Sequence, residues 1–223
     1  MGAIRVWDIP TRAFHWCLVL AVALAFYTVK TPGWPLFFPV EWHARAGYVV
    51  LGLLLFRGLW GVWGGHYARF SQFLYGPRRL LCYARAWVQG RQPSYAGHNP
   101  LGGLMVLVML MSLTLQGLTG LVMSDDIFFD GPLRGTLGKD VEGWLSTLHH
   151  RNGEVLMWLV GLHLVALLVH RLKGEALVMA MVTGRKRLAS EPQDEGGAAI
   201  GRPWLALLSM TVALLLVIWL WWG

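Results

Sequence analysis

Apolar positions along this chain gather into five long runs, at residues 13–29, 43–64, 101–123, 148–172 and 204–222, separated by charged or Gly/Pro-containing stretches. Each run is close to the length of about twenty residues at which a helix crosses the hydrocarbon core of a bilayer. None shows the strict apolar–polar alternation of a half-buried strand. The pattern predicts five transmembrane helices and an all-α integral membrane protein, because a helix satisfies its backbone hydrogen bonds within one segment. A shorter stretch, residues 80–89, alternates Leu, Tyr and Trp with Arg behind Gly76 and Pro77, and it predicts an interfacial amphipathic helix. Residues 190–197 read as a flexible, solvated linker before the last run.

Composition agrees with a membrane solvent: of 223 residues 56% are hydrophobic and thirteen are Trp, too apolar for a soluble domain of this size. The first ten residues are short and polar and carry no cleavable signal pattern. Cys17 falls in a span and Cys82 in a basic loop, so a disulfide between them is not expected. No C-x-x-C-H is present, which excludes the usual covalent attachment of a c-type haem.

A net charge of +7 raises the question of a nucleic-acid partner, and the placement of the charges answers it against one. The stretch 66–99 holds Arg69, Arg78, Arg79, Arg85 and Arg91 with no acidic residue, and Arg171, Lys173, Arg185, Lys186 and Arg187 follow the fourth run. The stretch 124–147 holds Asp125, Asp126, Asp130, Asp140 and Glu142 against Arg134 and Lys139. With Arg5 and Arg12 at the front, the positive-inside rule sets the N-terminus inside, the C-terminus outside and the acidic loop outside.

The fourth run is apolar yet carries His149, His150, His163 and His170, and ionisable groups at membrane depth ask for a function. On a helix, His149 and His163 fall within roughly 40° of one face and about 21 Å apart along the axis, whereas His150 and His163 diverge by roughly 140°. Two imidazoles so spaced suit two haem irons in opposite halves of the membrane, and no single metal ion touches both. The topology supplies each with a counterpart: His43, at the outer start of the second run, with His149, and His15, near the inner start of the first, with His163. His150 competes with His149 for the outer position. His170 reads as interfacial, and His66 and His98, at the inner ends of helices, as surface or capping groups or as the lining of a quinone pocket.

Arg57 follows His43 by fourteen residues and therefore lies on nearly the same face, where a propionate of the inner haem or the inner headgroups can pair its charge. Gly103 and Gly117, also fourteen apart, and Gly47 and Gly153, each one turn from an expected ligand, either clear room for a porphyrin or serve close helix packing. The Met residues of the third run, Met105, Met109, Met111 and Met123, read as core or lipid-facing.

These segments carry a family likeness. VWDIPTRAFHW, WHARAGYVVLGLLLFRGLWG, GHNPLGG, and LHH followed by GLH and MVTGRKR resemble the prokaryotic cytochrome b561 family, which includes the b-type cytochrome subunit of nickel-iron hydrogenases. The resemblance covers about residues 5–187. It implies a four-helix transmembrane bundle holding two haem b groups, each bis-His ligated, with the ligands falling on His15, His43, His149 and His163. It also implies electron transfer across a bacterial inner membrane between quinone and a periplasmic cytochrome c or a hydrogenase-like subunit. The expected organisation is a di-haem domain at 1–187, a linker at 188–202 and an additional C-terminal helix at 203–223, which the family pattern lacks. Three other functions fit parts of the pattern: a stand-alone superoxide:quinone oxidoreductase of the same fold, a histidine-based metal-ion transporter, and a structural anchor for a soluble enzyme. The transporter is disfavoured by the two separate levels of histidine and the near absence of intramembrane carboxylates, Glu154 being the nearest.

Overall fold

The structure is a computed structural model that describes residues 3–30, 40–125, 129–188, 190–194, 196 and 200–222. Asp126 and residues 189, 195, 197, 198 and 199 of the expected linker lie outside the described residues. The elements in chain order are strand β1 (Ala3–Arg5), helices α1 (Ile9–Lys30), α2 (Val40–Trp63), α3 (Pro77–Val88), α4 (Pro100–Gly120), α5 (Lys139–Leu172) and α6 (Leu177–Thr183), strand β2 (Arg185–Arg187) and helix α7 (Pro203–Trp222). Among the described residues α1, α2, α4, α5 and α7 are long and apolar enough to cross a membrane. Side chains such as Trp158, Leu164, Val165 and Leu168 on α5 are exposed, as lipid-facing positions should be.

Local chemistry sets the helix ends. Asp8 accepts the Thr11 N–H at 2.8 Å and starts α1, and Asn99 accepts the Gly102 N–H at 2.8 Å and starts α4 behind Pro100. Gly174, with φ 87°, closes α5 in the left-handed conformation that lacks a steric cost only for glycine. The α5 helix starts nine residues ahead of the apolar run at 148, because its first turns, Lys139 to Thr147, are polar and lie beyond the span.

By density of internal contacts the chain forms two units, Met1–Ala13 with Arg57–Met109 and Val160–Ser209, and Phe14–Phe56 with Leu110–Leu159 and Met210–Gly223. In the first unit β1 pairs antiparallel with β2, Ala3 opposite Arg187, Ile4 opposite Lys186 and Arg5 opposite Arg185. The Gly184 carbonyl takes the N–H groups of Val6 and Trp7, and the Arg12 guanidinium takes the carbonyls of Met181 and Val182. Val6, Trp7, Tyr67, Ala96 and Ala180 form the core of this layer. The expected flexible linker is docked where it is described: Asp194 accepts the N–H groups of Ala96 and Gly97 at 2.5 and 2.8 Å, and Gln193 accepts the Tyr95 hydroxyl at 3.1 Å. Cys82 sits on α3 instead of in a loop; it and Cys17 are free thiols.

In the second unit Ala21, Val50, Leu113 and Leu156 make one apolar cluster and Tyr48, Leu51, Leu121 and Leu220 another. Gly52 of α2 lies so close to Val217 and the Ala213 carbonyl of α7 that no side chain fits there. The acidic loop is folded on itself: Glu142, buried, accepts the Gly135 N–H at 2.7 Å and pairs with Arg134 at 3.3 Å. Glu142 is therefore engaged within the loop and unavailable to a docking partner.

Candidate functional site

His43 and His149 meet in the second unit. His43, in the first turn of α2, directs Nδ1 at the Ala25 carbonyl of α1, 2.9 Å away. A carbonyl only accepts, so Nδ1 carries the hydrogen and the lone pair is on Nε2. His149, on α5, directs Nδ1 at the Gln116 carbonyl of α4 (3.1 Å) and at Thr119 Oγ1 (3.2 Å). The Thr119 hydroxyl donates to the Leu115 carbonyl at 2.8 Å, so toward His149 its oxygen accepts, and here too the lone pair is on Nε2. The two ring centroids are 6.2 Å apart with planes at 83°. Two imidazoles bound to one metal from opposite sides, at about 2.0 Å per bond, set their centroids about 6.4 Å apart. The separation therefore fits two ligands of one iron.

The neighbours of this pair are also specific. A Cβ at Gly120 would come within 3.2 Å of His149 Cε1, while one at Gly47 would meet nothing within 4 Å, which leaves open space beside His43. His150 is exposed and donates from Nδ1 to Ser146 O at 2.8 Å, turned away from the contacts its neighbour makes. Sequence reasoning missed the polar groups on α4 and α5 behind His149: Ser112, Gln116, Thr119 and Asn152. Their signal was present, since Ser112, Gln116 and Thr119 recur at helical spacing in an otherwise apolar run, and polar residues at such depth are costly without partners.

Arg57 lies in the first unit, 3% exposed, with its guanidinium 4.6 Å over the Phe70 ring and 5.8 Å from that of Phe73. Its Nη1 has no hydrogen-bond partner among the described residues. A buried guanidinium with an orphaned N–H is a seat for an anionic oxygen, and a haem carboxylate has that chemistry. His163, partly buried on α5, belongs to this unit, and His15, edge-on to Trp16 at 5.1 Å, belongs to the second. Gly103 packs on the Phe73 carbonyl and Gly117 on the Leu51 side chain, both too close for a Cβ. Gly153 lies near Gln116. His98 corrects its expected surface role: its ring is packed 4.7 Å from both Trp7 and Phe73. His66 lies edge-on to Tyr67, and His170 Nδ1 is 3.4 Å from the Glu175 carboxylate.

Outside the spans, burial pushes the Tyr75 and Tyr83 phenols up to about 12, so both stay protonated. Burial lowers the Lys186 ammonium, whose Nζ donates to the Tyr95 carbonyl at 2.7 Å. Among the described residues no group of three or more His, Cys, Asp or Glu is placed to hold a metal ion.

Comparison with known proteins points the same way as the geometry. A model of the prokaryotic cytochrome b561 family matches residues 6–184. The probable Ni/Fe-hydrogenase B-type cytochrome subunits of Azotobacter chroococcum mcd 1 and Azotobacter vinelandii are each 27% identical over 178 residues, covering 70% of this chain and 72% of theirs. The corresponding protein of Cupriavidus necator is 25% identical over 179 residues, covering 70% of this chain and 71% of its own. No solved structure matches the chain. With five apolar helices and a family match across most of its length, the chain belongs to the prokaryotic cytochrome b561 family of multi-pass, all-α membrane proteins, b-type cytochromes whose cofactor is haem b.

Proposed function

We propose that this protein is a di-haem cytochrome carrying electrons across the bacterial inner membrane between the quinone pool and a redox partner on the outer side. His43 and His149 would hold the outer haem, and His15 and His163 the inner one. The observation that carries the reading is the His43–His149 pair, 6.2 Å between centroids, with each Nδ1 tied to a backbone carbonyl. Such bonds fix ring orientation, leave Nε2 free of hydrogen and strengthen the imidazole as a ligand.

Haem b supplies one-electron chemistry. With two imidazoles on each iron no position would be open to oxygen, and the chain's task would be to hold, space and insulate the haems. His149 and His163 share the unbroken helix α5 at fourteen residues, about 21 Å by helical rise. Arg57 would neutralise an inner propionate, for which its orphaned Nη1 is the support. The basic loops argue for a cytoplasmic N-terminus and a periplasmic C-terminus, and the exposed apolar faces of the helices for direct contact with lipid.

The relatives are by name hydrogenase cytochrome subunits, which supports a hydrogenase-type partner, with a periplasmic cytochrome c as the other candidate. Asp125 and Asp130 in the loop before α5 and Asp140 in its first turn are exposed and would give a basic surface something to meet. The test is electron transfer in proteoliposomes: haem-loaded protein, quinol outside and ferricyanide trapped inside. Reduction of the trapped ferricyanide that is abolished in His43→Ala supports the reading. Reduction at the rate of protein-free vesicles overturns it.

A further inference from the structure

The polar groups behind His149 form one chain in which the direction of nearly every hydrogen bond is determined. Ser112 Oγ donates to Asn152 Oδ1 at 2.8 Å, and Asn152 Nδ2 donates to the Ser112 carbonyl at 2.9 Å and to Gln116 Oε1 at 2.7 Å. Both Asn152 amide hydrogens are thereby used, its oxygen is an acceptor, and the Gln116 amide has only one orientation open to it. That orientation aims Gln116 Nε2 at His149 Nε2, 3.1 Å away. Beyond the imidazole, Nδ1–H is held by Gln116 O and by Thr119 Oγ1, whose own hydrogen goes to Leu115 O. Ser112, Asn152 and Thr119 are buried, at 9%, 7% and 2% exposure. A buried polar network in which every member is satisfied is rigid, and its bonds polarise one another.

Such a network has a consequence for ligation. A neutral imidazole has one in-plane lone pair, on the nitrogen without hydrogen, and at His149 that lone pair accepts the Gln116 N–H. The same lone pair is the one an iron would take, at about 2.0 Å instead of 3.1 Å. Nε2 serves one or the other.

We propose that Gln116 is a placeholder for the outer haem: in the haem-free chain its amide caps His149 Nε2, Asn152 keeps it parked there, and it swings off as the histidine takes iron. The device keeps a buried nitrogen satisfied and the Nδ1–H tautomer set before the cofactor arrives. Gln116 is in these terms a positioning residue, and the inference rests on the reading of His149 as an outer ligand.

The experiment is haem titration into haem-free protein in detergent, followed by absorbance, for wild type, Gln116→Leu, Gln116→Asn and His149→Ala. Gln116→Leu removes the amide, and Gln116→Asn shortens it beyond reach while keeping it polar. A net hydrogen bond of ordinary strength that must be broken on loading weakens binding about fivefold, so both variants should bind the outer haem about fivefold more tightly than wild type. A purely structural Gln116 would act in the opposite direction and weaken loading. Uptake of the inner haem reports that each variant is folded. A measurement on the wild type needs no variant: with ¹³C-labelled glutamine, the loaded-minus-free infrared spectrum should contain a shifted glutamine amide band. Unchanged or weaker outer-haem binding in both variants, or no amide shift, overturns the placeholder. His149→Ala separates the two levels of argument, because a variant that keeps both haems low-spin removes the ligand assignment itself, whereas loss of one haem there with unaltered loading in Gln116→Leu removes only the placeholder.

Discussion

Replacing Asp8 by alanine should loosen the first unit by an amount its hydrogen bonds predict. The Asp8 carboxylate, 5% exposed, caps α1 by accepting the Thr11 N–H, and it accepts the Trp60 indole N–H of α2, 3.1 Å from Oδ2 and 3.4 Å from Oδ1. Losing an N-cap costs about 1 kcal/mol. Trp60 is 1% exposed, so losing the charged acceptor of its buried N–H costs a further amount of about 1–3 kcal/mol. The sum, about 2–4 kcal/mol, corresponds to a fall in melting temperature of roughly 4–16 °C for a chain of this size. Thermal unfolding of the haem-free protein in detergent, followed by tryptophan fluorescence, measures it. Asp8→Ser separates the two terms, since a serine hydroxyl caps the helix and is too short to reach Trp60, and it should recover about 1 kcal/mol. An alanine variant that melts within about 2 °C of wild type, or a serine variant as damaged as alanine, refutes the reasoning.

Gly52→Val should destabilise the packing of α7 on α2 by about 1–3 kcal/mol, because the new methyls meet Val217 and the Ala213 carbonyl; an unchanged melting curve would contradict this. Gly47→Leu should leave the haem-free fold intact, as nothing lies within 4 Å of its Cβ, yet lower the haem count by blocking the space beside His43; a full count rejects the clearance role. The His170 imidazole, 3.4 Å away and chief among several causes, holds the Glu175 carboxyl below the usual carboxylate range. Its stabilisation is therefore complete above that range and is lost as pH falls through the depressed value. Wild type and Glu175→Gln should differ in melting temperature at pH 7 and converge in acid; a constant difference would show that Glu175 does not titrate in this way.

Hydropathy made the spans legible, because the solvent of the spanning segments is uniform and only length and apolarity decide. It could not show where α5 begins, since Lys139 to Thr147 is polar helix that no bilayer selects. The β1–β2 pair and the docking of Asp194 on Ala96 and Gly97 were hidden for another reason: their partners are distant in sequence, and neither segment carries a periodic signal. Helical arithmetic paired His149 with His163 because fourteen residues nearly close four turns, and the charge-derived topology then matched His43 to His149. The arithmetic favoured His149 over the adjacent His150 by face alone, and the contacts of His149 with Gln116 and Thr119 are consistent with that choice. The Gln116–Asn152 relay was overlooked because amides in a span look like tolerated polarity until their partners are seen.

The central claim, two bis-histidine haems per chain, is tested most directly by a pyridine haemochrome count joined to a reduced-minus-oxidised spectrum of the purified protein, for wild type and for His15→Ala, His43→Ala, His149→Ala and His163→Ala. The account predicts two b haems in the wild type, with one lost or converted to high spin in each variant. A single haem in the wild type, or a variant among the four that keeps both haems low-spin, would contradict it.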